Sequence, residues 1–222
     1  MVDFEALRLQ QLELAKIAVF EGTLEHVKRF VAVDVSVQSF YQGTDAPLFA
    51  AAVLLERGHK TPLEIATARL EPEMPYRTGF LTFREAPVIL NALEKLQGSY
   101  DLIWCDGNGL MHPRRAGIAT HLGVTLNKPA LGVAKQPLTG RFKDVPLEFG
   151  ARQPVHSSSD ETLGFALRSR RSTKLIYVSP GHLCSVDAAL EFVLEHLDGQ
   201  RIPYPTRLAH DASNDARKAE DL

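Results

Sequence analysis

DLIWCDGNGLMHPRRAGIATHLGVTLNKPALGVA, residues 101–134, decides the fold class. Residues 101–106 read as a short buried strand that stops at Asp106-Gly107. Residues 113–126 read as a helix opened by Pro113, because a proline's fixed φ and missing N–H suit a first helical turn. Residues 129–134, all small or apolar, read as a second buried strand. Strand, helix, strand in that order calls for parallel strands, and apolar runs without alternation call for helices on both faces.

Working outward, three β-rich runs precede this unit: 28–37, 48–56 and 63–71. Arg57-Gly58-His59-Lys60-Thr61-Pro62 supplies a turn between the last two, so the three can form a meander. Leu7, Leu12, Leu14, Ile17 and Val19 fall at helical spacing, which predicts an amphipathic helix over 5–20. A second helix is expected over 87–97, with Pro87 in its first turn and Gly98 just beyond its end. Downstream, strands are expected at 162–170 and 173–179 and a helix at 186–197. The polar stretch 211–222 is expected to fray. A three-strand antiparallel start followed by strand–helix alternation is the order of ribonuclease H-like folds. The expected architecture is therefore α/β, a mixed sheet flanked by helices (α/β/α). It forms a single domain over residues 1–210 followed by a polar tail, 211–222.

The 222 residues and 45% hydrophobic content are enough for one such core. A formal net charge of -2 excludes a generic basic nucleic-acid coat, so any phosphate binding must come from a local patch. The two cysteines, Cys105 and Cys184, match no zinc spacing, and the apolar run around Cys105 makes it a buried, inert thiol. Two cysteines make no disulfide framework, which fits a reducing compartment and a cytoplasmic location. No apolar stretch is long enough to span a bilayer, and the first residues lack a secretory pattern. No membrane partner is expected, and the chain reads as a monomer.

Four residues invite chemistry. Asp34 lies inside Phe30-Val31-Ala32-Val33-Asp34-Val35, where an ionised carboxylate is costly unless it is paired, hydrogen-bonded or bound to a cation. Asp106 ends a buried strand, the side on which open α/β sheets place their sites, although an Asp-Gly turn looks the same. Glu85 and His210 read in isolation as a helix-start acid and a surface histidine. Neighbouring Asp34 and Asp106 would hold a hard cation suited to phosphodiester hydrolysis, with a nearby Glu or His moving a proton. His112, Arg114 and Arg115 offer phosphate donors, and Lys135 follows the strand Leu131–Ala134.

In combination these blocks resemble the endonuclease V family. The resemblance rests on Met74-Pro75-Tyr76 with Gly79-Phe80-Leu81-Thr82-Phe83-Arg84-Glu85, and on Asp106-Gly107-Asn108-Gly109 with His112–Ala119. It also rests on Leu131–Lys135, on Ser179–His182 and on Pro205-Thr206-Arg207. It covers roughly residues 5 to 210. It implies Mg²⁺ dependence, with Mn²⁺ able to substitute, and cleavage one nucleotide 3′ of a deaminated adenine in DNA. Asp34, Asp106 and Glu85 then look like metal ligands, and His210 and Lys135 like further catalytic groups. Gly79, Leu81, Gly107 and Ile118 match a pocket for the extruded base, whose reversed Watson–Crick edge can be read by backbone groups. Tyr76, flanked by Pro75, matches an aromatic wedge. The chain departs from the family at Arg77-Thr78, where an apolar residue and a second proline are usual. Two alternatives stay open: an endoribonuclease for inosine in single-stranded RNA, and a silent binder of deaminated nucleic acid. Another nuclease of the same fold would share the strand acids but not the blocks at 74–85 and 106–119.

Overall fold

The computed structural model describes residues 2–37 and 46–220, which form an eight-stranded sheet and five helices. The strands are β1 (Arg29–Val37), β2 (Leu48–Glu56), β3 (Glu64–Leu70), β4 (Leu102–Asp106), β5 (Ala130–Ala134), β6 (Arg152–His156), β7 (Thr162–Leu167) and β8 (Ile176–His182). Their order across the sheet is β3-β2-β1-β4-β5-β8-β7-β6. The meander β1–β3 is antiparallel, and β1, β4 and β5 run parallel at the centre. The helices are α1 (Phe4–Ile17), α2 (Leu81–Glu94), α3 (Ile118–Leu126), α4 (Val186–Glu195) and α5 (Tyr204–Glu220).

Both faces of the sheet are covered, and the central strands show how. Phe30, Ala32, Leu102 and Trp104 enter the core that α4 and α5 close with Phe192, Val193, Tyr204 and Ala209. Their neighbours Val31, Val33, Ile103 and Cys105 enter the opposite core, closed by Val88 and Ile89 of α2 and Leu122 of α3. Side chains alternate along a strand, so two covered faces require the unbroken apolar runs seen in the sequence. The α/β/α expectation holds.

Local differences have identifiable causes. Pro87 lies inside α2, not at its start, because the helix begins at Leu81. Its ring is exposed while Thr82, Ala86, Ile89 and Leu93 face the core, so burial outweighs the backbone bond that proline removes. Residues 112–115 open no helix. They form a turn in which Arg115 takes φ 58, and α3 starts only at Ile118. Ser179–His182 is not a loop but the end of β8, which pairs with β5 through an irregular register. β6 was not anticipated. It carries Pro154 at the sheet edge, where a missing N–H is tolerated. The polar tail does not fray within the described residues. It continues α5 to Glu220, with Ser213 fully buried, and only residues 221–222 lie outside the description. The helix stays folded because it lies across β1 and β2 and because Trp104 Nε1 donates to Thr206 Oγ1 at 2.8 Å. Among the described residues, no helix is long and apolar enough to cross a membrane.

Candidate active site

The register of β1 and β4 sets the centre of the site. Val33 pairs with Cys105, so Asp34 and Asp106 stand one step further along adjacent parallel strands. Both follow the alternation that points Ala32 and Trp104 toward α5. From α5, His210 Nδ1 meets Asp34 Oδ2 at 2.9 Å. Lys135, immediately after β5, donates from Nζ to Asp106 Oδ2 at 2.8 Å. Glu85 arrives from α2. Burial first, and then the charges of Asp34 and Asp106, push its carboxyl up to about 8. Burial likewise raises Asp34, reinforced by Asp106 and partly offset by His210. Burial opposes the Lys135 charge, but the Asp106 carboxylate more than restores it, and the ammonium sits above its ordinary value.

All five residues singled out for catalysis therefore converge. Three mutually repelling carboxylates supply hard oxygen donors of the kind Mg²⁺ takes, and a divalent cation would relieve their repulsion. Among the described residues, no three acids, histidines or cysteines already stand in cation-holding geometry, and Lys135 and His210 each hold one carboxylate oxygen of the pair.

Beside the acids lies a cavity of about 140 Å³. Glu85 and Asp106 line it, together with Gly79, Leu81, Gly107 and Ile118, the four positions expected to receive a base. Gly107 has φ 153, and a Cβ there would stand 2.5 Å from Ile118 Cγ2, so a side chain at this position would collide with the wall. Tyr76 is at the rim and 65% exposed, free to contact a strand. Arg77 places its guanidinium 4.0 Å from the Phe4 ring centroid.

The three phosphate candidates have internal partners. Buried His112 has Nε2 3.2 Å from Gly79 O, while its Nδ1 accepts from the Arg114 N–H at 3.2 Å. This pair fixes the neutral tautomer with the proton on Nε2, and burial lowers its pKa to about 4. Arg114 donates to Gly79 O at 2.6 Å and stacks over Phe80. Arg115 pairs with Glu161.

Several participants were not singled out from the sequence. Asn214 Nδ2 lies 3.1 Å from His210 Nε2, its Oδ1 accepts from Ser36 Oγ at 2.9 Å, and Arg217 Nε donates to Ser36 Oγ at 3.0 Å. The spacing of His210, Ser213 and Asn214 was the available signal, since it places all three on one helical face once the tail is taken as helix. Gln11 was missed as well, one polar residue in an otherwise unremarkable amphipathic pattern.

Comparison with known proteins agrees with this geometry. The sequence profile described as Endonuclease V matches residues 12–211. An endonuclease V from Thermus thermophilus is 44% identical over 222 residues, covering 98% of this chain and 94% of that protein. The crystal structure of endonuclease V from Streptomyces avermitilis superposes with a TM-score of 0.90 at 34% identity, covering 100% of this chain and 96% of that one. The Ciona intestinalis endonuclease V, solved with a 24mer DNA containing an inosine followed by a ribo-adenosine, gives 0.84 at 25% identity, with 98% of each chain covered. By sequence profile, curated relatives and fold alike, this chain belongs to the endonuclease V family.

Proposed function

We propose that this chain is a metal-dependent repair endonuclease that accepts hypoxanthine in its cavity and hydrolyses the phosphodiester bond one nucleotide 3′ of it. One observation carries the reading: Glu85 and Asp106 line the same cavity as Gly79, Leu81, Gly107 and Ile118. A base held there brings its own strand past the carboxylates. The inosine-containing DNA bound by the Ciona relative supports that substrate class.

In this reading Asp34, Asp106 and Glu85 hold Mg²⁺, for which Mn²⁺ can substitute. When bound, the cation polarises the phosphate and lowers the pKa of water. His210, aimed at Asp34, orients that carboxylate and is placed to relay a proton. Lys135, held above its ordinary pKa, keeps a positive charge beside Asp106 for the non-bridging phosphate oxygens. Tyr76, between Pro75 and Arg77, stacks in the gap left by the base. His112 and Arg114 are committed to Gly79 O and Arg115 to Glu161, so each acts on phosphate only by sharing or exchanging that partner. We place the catalytic domain in residues 1–210 of a monomeric, cytoplasmic protein, followed by the polar segment 211–222, of which residues 211–220 carry the last turns of α5.

A second reading, cleavage of inosine-containing single-stranded RNA, draws support from the ribo-adenosine after the inosine in the Ciona complex. One experiment tests both. Matched strands with a single inosine are offered as single-stranded DNA, duplex DNA and single-stranded RNA with Mg²⁺, beside inosine-free controls. Nicking one nucleotide 3′ of inosine, reduced at least a thousandfold in Asp34→Ala and Asp106→Ala with the fold intact, is expected, and the substrate ranking separates DNA from RNA. Selective binding without nicking by the unaltered protein would identify a silent binder.

A further inference from the structure

Gln11, on the inner face of α1, is completely buried. A buried amide must spend its hydrogen bonds inside the protein, and this one spends them on the wall of the cavity. Its Nε2 donates to Gly79 O at 2.9 Å and approaches Ala116 O at 3.5 Å, and both residues line the cavity. Its Oε1 accepts from Arg114 Nε at 2.5 Å, and Arg114 in turn donates to the same Gly79 carbonyl. With His112, three donors from two separate segments, α1 and the turn at 112–115, thus converge on one carbonyl oxygen.

That oxygen belongs to a tight turn. Phe80 N–H donates to Arg77 O at 2.9 Å, closing a four-residue turn, and Gly79 sits in its third place with φ +79. This is the backbone of a type II turn. Thr78 and Gly79 both line the cavity, so the placement of this turn sets where its backbone N–H and C=O groups stand relative to a bound base. Placement of such groups discriminates, because hypoxanthine presents a donor where adenine presents an acceptor and the reverse.

We infer that Gln11 is a positioning residue for base selection: by anchoring Gly79 O it fixes where the Arg77–Phe80 turn stands, and with it the backbone groups that the cavity wall offers to hypoxanthine over adenine. The inference rests on the cavity being the base pocket, as proposed above. Gln11 touches no substrate and acts through Gly79.

The test compares kcat/KM on two single-stranded DNAs identical but for inosine or adenosine at one position, with enzyme in excess so that slow nicking is measured. Gln11→Met removes donor and acceptor while keeping the length of the side chain. Gln11→Glu keeps an acceptor for Arg114 but loses the amide donor. Leu190→Ala, in the core beneath α4, serves as a destabilised control far from the cavity. The inosine-to-adenosine ratio is expected to fall about tenfold in both Gln11 variants, the worth of roughly one buried hydrogen bond, and to hold in Leu190→Ala. A ratio within twofold of the unaltered protein in both Gln11 variants overturns the inference, as does an equal loss in Leu190→Ala. An unaltered protein that ignores inosine would overturn the nuclease reading instead.

Discussion

Glu85 shows what a single residue can do once its neighbours are known. With its carboxyl raised to about 8 in the fold, it keeps a proton that an unfolded chain releases near its ordinary 4.5. Below pH 4.5 both states are protonated and the fold keeps the full benefit. As pH rises toward 8 only the unfolded chain ionises freely, so stability is lost across that window, on the order of a few kcal/mol. We expect the melting temperature of metal-free protein to fall between pH 4.5 and 8, and Mg²⁺ to raise it more at pH 8 than at pH 5. In Glu85→Gln that pH dependence should shrink sharply. A flat profile in the unaltered protein would show that Glu85 does not feel Asp34 and Asp106. Asp34 could be noticed in the sequence because a charge inside an apolar strand is anomalous by itself. Glu85 could not, since its anomaly comes from tertiary burial and then from carboxylates on β1 and β4, all set by segments far away in sequence. Family resemblance supplied what local reading lacked.

Among the elements, α5 departs most from its sequence. Its polar composition hides a face that packs on β1 and β2 and presents His210 and Asn214 to the site. The tail looked unstructured because charge and polarity were counted without their period. α2 was shortened for a related reason, since Pro87 reads as a start signal when its exposed position is unknown. Strands β1, β2, β4 and β5, buried on both sides, were legible nearly to the residue because solvent leaves no ambiguity there. We expect Asn214→Ala to slow single-turnover nicking about fivefold while leaving the circular dichroism spectrum unchanged, the effect of one lost hydrogen bond on the orientation of His210. Asp215→Ala, exposed on the next position, should be neutral. Equal rates in both variants would remove Asn214 from the site.

At the scale of the whole molecule, a chain of net charge -2 must bind a polyanion through few contacts. Among the cations assigned to the substrate, Lys135 is already paired with Asp106 and Arg115 with Glu161. Binding of an inosine-containing strand should therefore weaken only gently with salt, with a log–log slope no steeper than about −4. Fluorescence anisotropy over a range of KCl concentrations measures it, and a slope near −8 would reveal a further basic surface in contact with the strand. The general plan of the molecule, an α/β/α sandwich with its acids at the ends of central strands, was readable from hydrophobic runs and their order. The supporting network was not, because Gln11, Ser36, Asn214 and Arg217 have ordinary local surroundings and gain meaning only through long-range contact. The burial of Cys105 and Cys184 at the heart of the two core layers has a consequence of another kind. Burial pushes both thiols upward in pKa, so neither offers a reactive thiolate while the sandwich stays shut. Their encounter with an alkylating reagent waits for the layers to part, and the chain carries within its central strand a natural clock for its own opening.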